Sequence, residues 1–200
     1  SVKRHTDALR VNLVRYDWPL ILCDFIAIDA HTLFNEGKLN EAHKLFKRGH
    51  KMAQERKAYT IVHKNLRGLS LTQLRMGLLE EAEQSLQQLW QSCNQHEDNY
   101  SKALYYLYHG IFMLQKNDLE LTENRIVLAI QMFQKNELYK LAAEGMNLLG
   151  DIHRSRENLD QAHTQYTRSL KLMTKINHPD QDIPLLNIAI IMSIKNLHQQ

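Results

Sequence analysis

The segments Asn35-Glu36-Gly37-Lys38-Leu39-Asn40-Glu41-Ala42 and Arg75-Met76-Gly77-Leu78-Leu79-Glu80-Glu81-Ala82 follow one plan and stand 40 residues apart. In each, a glycine suited to ending a helix is followed after two residues by leucine and after three more by alanine. The register continues without a gap. Gly37, Gly77, Asn117 and Glu157 occupy the turn, Leu39, Leu79, Leu119 and Leu159 open the next segment, and Ala42, Ala82, Thr122 and Ala162 lie three residues further on. A small residue (Ala30, Ser70, Gly110, Gly150) precedes each of these, and a large one (Phe46, Leu86, Ile126, Tyr166) succeeds it. A fixed period of this length is the signature of a repeat architecture.

Each block reads as a helical hairpin. In the first, Ile26, Ala30, Leu33 and Phe34 recur near helical spacing, the Asn35–Lys38 turn breaks the pattern, and Ala42, Leu45, Phe46 and Met52 resume it. The small residue midway along each first helix lets the second helix cross closely, so Gly110 and Gly150 are expected to be buried at crossings. The chain is therefore expected to be all-α, a right-handed superhelix of antiparallel hairpins with about ten helices. It reads as one solenoid domain, residues 1–200, with repeats at about 18–57, 58–97, 98–137 and 138–177. Half-repeat helices are expected at 6–16 and 184–198. The last carries Leu185, Leu186, Ile188, Ala189, Ile190, Ile191, Met192 and Ile194 and is apolar around most of its circumference. Terminal repeats need a polar outer face. Such an end points to a segment cut from a longer array, the favoured reading, or to self-association through this helix.

These positions resemble the tetratricopeptide repeat, with the triplets Ala30/Ala42/Phe46, Ser70/Ala82/Leu86, Gly110/Thr122/Ile126 and Gly150/Ala162/Tyr166. Departures are the long period, Thr122 in place of alanine, and no proline closing a repeat. The resemblance covers roughly residues 18–176 and implies a concave groove lined by first helices. The residues it directs inward include Asp24, Ala27, His31 and Phe34 in block one, and Lys64, Arg67, Leu71 and Leu74 in block two. Block three contributes Leu104, Leu107, Ile111 and Leu114, and block four Glu144, Asn147, Asp151 and Arg154. The candidate binding residues are His31, Lys64, Arg67, Leu71, Leu104, Leu107, Ile111, Asn147, Asp151 and Arg154: a basic entrance, an apolar centre and a polar wall. The chaperone-tail clamp of some family members asks for lysine and asparagine where Ala27 and His31 stand, so that ligand is not expected.

The chain has 200 residues and a formal net charge of +3, unevenly spread: residues 1–76 carry +7 and residues 77–200 carry −4. So small a total does not suggest direct nucleic-acid binding. The run Lys44, Lys47, Arg48, Lys51, Arg56, Lys57 reads as a solvated helix face. No apolar run approaches the length of a membrane span, and Cys23 and Cys93 read as reduced thiols in a cytoplasmic protein. No phosphate-binding glycine loop, metal-ligand spacing or nucleophile elbow occurs, so no catalysis, cofactor or metal is expected. The expected function is a protein-interaction module holding a peptide or helix in its groove. The alternative is a sensor segment of a larger regulator that binds a small effector.

Overall fold

The computed structural model describes residues 19–197, so the expected helix at 6–16 lies outside the described residues. Nine α-helices and no strand occur among them. They are α1 (Pro19–Asn35), α2 (Leu39–Glu55), α3 (Tyr59–Met76), α4 (Leu79–Gln95), α5 (Asn99–Gln115), α6 (Leu119–Lys135), α7 (Tyr139–Ser155), α8 (Leu159–Lys175) and α9 (Asp182–Leu197). A 3-10 turn, Pro179–Gln181, precedes α9. The fold is an all-α solenoid of tandem hairpins. The described residues fall into two compact units, one ending at Tyr108 and the other beginning at His109, with the boundary inside α5.

The turns explain the regularity. At every one of them a residue adopts positive φ: Gly37, Lys57, Gly77, Glu97, Asn117, Glu137, Glu157 and Asn177, at intervals of 20 residues. The residue after it donates its N–H to a carbonyl five positions back, as Lys38 does to Leu33 and Asp98 to Cys93, both near 3.0 Å. This Schellman closure satisfies carbonyls that a helix end would otherwise leave open. Expectation placed the special residue only at the four turns within hairpins. The structure uses the same turn between hairpins as well, so the repeat is built from equal half-units. Lys57, Glu97 and Glu137 hold a conformation that L residues avoid, which is why nothing in their identity announced the turn.

Packing follows the small-to-large register. In the first unit Ala30, Ala42, Phe46 and Leu69 form one buried cluster, and Ala53, Val62, Leu66 and Leu89 another. In the second, a Cβ on Gly110 would stand 2.8 Å from Ile126, and one on Gly150 would stand 2.5 Å from the Tyr166 ring. Both glycines are buried at the crossings of their own hairpins, as expected. Gly68 and Gly145 serve the junctions with the preceding helix, facing Phe46 and Ile130. Ile191 seats α9 on Ala162 and Tyr166, with Ile188 partly covered beside them. The opposite face of α9 leaves Ile183, Leu185, Leu186 and Met192 more than half exposed.

Candidate functional site

Within the first unit, α3 and the N-terminal half of α5 carry the most structured polar cluster. Asp98 precedes α5 and caps it: its Oδ1 accepts from the Ser101 backbone N–H at 2.9 Å. Its Oδ2 accepts from the Ser101 hydroxyl at 2.5 Å and from His63 Nδ1 at 2.7 Å. Nε2 of His63 is hydrogen-bonded with the Ser92 hydroxyl at 2.8 Å. Arg67 donates to Ser101 Oγ at 3.0 Å and lies over the Tyr100 ring, 4.7 Å from its centroid. Burial works to raise the pKa of Asp98. The Ser101 hydroxyl and amide and His63 outweigh it, holding the carboxyl below its ordinary value.

Above this network opens a cleft of 440 Å³ lined by Tyr59, Thr60, His63, Arg67, His96, Asp98 and Tyr100. Tyr59 stacks on His96 with centroids 3.6 Å apart, and both Tyr59 and Tyr100 are substantially exposed. The cleft therefore offers a guanidinium held over Tyr100, with a second partly exposed aromatic ring, Tyr59, in the same lining. Aromatic faces give contact area at low entropic cost, and an immobilised guanidinium recognises carboxylates or carbonyls.

The remaining expected groove residues fare unevenly. Lys64 is ion-paired with Asp24 at 3.0 Å, and His31 packs edge-on to Phe46 at 4.8 Å. Burial, then Lys64 and Arg67, lower the pKa of His31, so it serves as a neutral ring. Leu71 is half-buried. Leu104 and Leu107 are buried, as are Ala27 and Leu74, whereas Ile111 and Leu114 of the expected apolar centre are half-buried like Leu71. At the positions matching Leu104 and Leu107, Lys64 and Arg67 are half-buried, with their charged ends engaged by Asp24 and by Ser101. In the second unit Ile111 and Asn147 are half-buried. Asp151 accepts from the Tyr166 hydroxyl at 2.7 Å and from Arg154 at 3.1 Å, so this pair is engaged internally. No group of three or more metal-ligating side chains occurs among the described residues.

Sequence spacing missed His63, Ser92, Asp98 and Ser101 because they meet only when α3, α4 and α5 pack. The one legible signal was Asp98 three residues before Ser101, an N-terminal capping pattern.

No family model and no curated protein matches this chain. Among solved structures it is similar to BtubC (BKLC) from P. vanneervenii, with a TM-score of 0.75 and 17% sequence identity. The match covers 97% of this chain and 81% of that one. The likeness is one of fold. No described helix is long and apolar enough to cross a membrane.

Proposed function

We propose that the chain is a non-catalytic protein-interaction module, and that the Arg67 cleft receives an extended peptide with an acidic group at one end. The observation that carries this reading is the guanidinium of Arg67, held by Ser101 and Tyr100 in an open cleft beside exposed Tyr59. The arginine is ordered before any ligand arrives, so little conformational entropy is lost on binding. The cleft opens to solvent, so it can admit the end of a longer chain.

The Ser92–His63–Asp98 line has the order of groups found in acyl-transfer enzymes, yet its setting favours a structural role. Ser92 lies within α4, where the flanking backbone N–H groups are spent on the helix and do not form an oxyanion hole. The line instead ties α3, α4 and the start of α5 together.

The test is to select peptides from a random library on the intact chain and measure their affinity by calorimetry. Arg67→Ala and Tyr100→Ala should each weaken the selected peptides about tenfold, the scale of one charge-assisted contact. Replacing Lys44 and Lys51 with glutamine should leave affinity unchanged. Peptides insensitive to Arg67 and Tyr100 but lost with the lysines would overturn the assignment.

A further inference from the structure

Next to the Arg67 cleft, the first unit carries a feature that the cleft does not use. Gln84, Gln88, Gln91 and Gln95 recur along α4 at i, i+4, i+7 and i+11, forming one stripe, and all four are exposed. The stripe borders two adjoining clefts of 260 and 250 Å³, which share His50, Gln54 and Gln88 and so run together as one trough between α2 and α4. Its floor is one face of α3, from Val62 through Leu66 and Leu69 to Gln73. The trough thus has amide-bearing walls and an apolar floor.

Its polar groups are incompletely used. Gln73 is only 3% exposed, and its Nε2 donates to Glu81 while its Oε1 has no partner. Nδ1 of His50 is likewise buried and unpaired, and burial lowers the pKa of that ring, keeping it neutral. Buried acceptors without donors are costly. A modest rotation of either side chain would present its acceptor to a ligand carrying N–H groups.

We infer that this trough binds an extended polypeptide with alternating apolar side chains, its backbone hydrogen-bonded by the glutamine stripe. The dimensions agree. The stripe spans about 16 Å at the helical rise, which is the length of about five residues of extended chain. A primary amide donates and accepts at once, so it pairs with the N–H and C=O of a peptide without requiring a particular side chain. Alternate residues of the extended chain point to one side, here toward Val62, Leu66 and Leu69. The trough meets the Arg67 cleft at Tyr59 and His96, which line both, whereas Arg67 and Tyr100 do not line the trough.

The probe is the blocked hexapeptide acetyl-Thr-Val-Thr-Val-Thr-Val-amide, titrated into the isotopically labelled chain to millimolar concentration. A control peptide has the same side chains with alternate backbone amides N-methylated. Side-chain amide NMR signals of Gln84, Gln88, Gln91 and Gln95 should shift saturably with the probe and not with the control. Gln88→Ala and Gln91→Ala should each weaken binding about fivefold, the loss expected for one neutral hydrogen bond. Arg67→Ala should have no effect on this titration. Absence of shifts, equal shifts with the methylated control, or shifts confined to the Arg67 and Tyr100 region would overturn the inference. The last outcome would leave the Arg67 reading standing.

Discussion

The pairing of Gly150 with Tyr166 offers a quantitative test of the repeat register. A Cβ at position 150 would lie 2.5, 2.7 and 3.0 Å from Cε1, Cδ1 and Cζ of the Tyr166 ring. The ring is fully buried, and its hydroxyl is anchored to Asp151 at 2.7 Å, so it cannot simply retreat. Gly150→Ser should therefore incur about 1–3 kcal/mol of overpacking and strain the Asp151 bond, against a helix-propensity gain of about 0.5 kcal/mol. A net loss of about 2 kcal/mol corresponds to a fall in Tm of roughly 4–8 °C for a chain of this size. Tyr166→Leu alone should lose about 2–4 kcal/mol through the cavity and the missing hydroxyl. The two together reproduce the Ser70/Leu86 pair that block two already buries. The double variant should then be about 1–2 kcal/mol more stable than the sum of the single losses, because leucine vacates the space that serine needs. Urea unfolding followed by far-UV circular dichroism measures all four proteins. Additivity within about 0.5 kcal/mol would refute the argument that these two positions share one packing site.

Three further outcomes are expected in other parts of the structure. Asp98 has a depressed folded pKa, so its stabilisation is present above the ordinary carboxylate value and fades as pH falls through the folded one. Asp98→Asn should accordingly lose about 1.5–3 kcal/mol at neutral pH, with the gap from wild type closing below about pH 4 in urea titrations at stepped pH. Gly77 has φ of 73°, and nothing lies within 4 Å of the place a methyl group would take, so Gly77→Ala tests backbone strain alone. It should lose about 1–2 kcal/mol, while Glu97→Gly, at φ of 52°, should gain up to about 1 kcal/mol in the same unfolding assay. Burial pushes the Cys93 thiol up to about 11, so iodoacetamide near neutral pH should modify Cys93 only in denaturant. Rapid alkylation of the native chain would contradict its burial.

The sequence by itself determined the hairpins. Leu39, Leu79, Leu119 and Leu159 each open a helix, and Gly37, Gly77, Asn117 and Glu157 each take the left-handed turn, because these are local choices that neighbouring residues enforce. Burial of Gly110 and Gly150 was legible for a related reason: a crossing point needs a small residue wherever the pattern repeats. The turns at Lys57, Glu97 and Glu137 were not, since ordinary residues are driven into that conformation by the helices on either side. Exposure was decided only by the tertiary structure. Leu104 and Arg67 both stand on the face that the repeat pattern directs into the groove, yet Leu104 is covered and Arg67 lines an open cleft, because burial depends on which side chains of other helices meet that face. The His63 network belongs to the same class. Its members come from three helices, with His63 and Asp98 35 residues apart, and no periodicity within one helix records which side chain of the next will meet it.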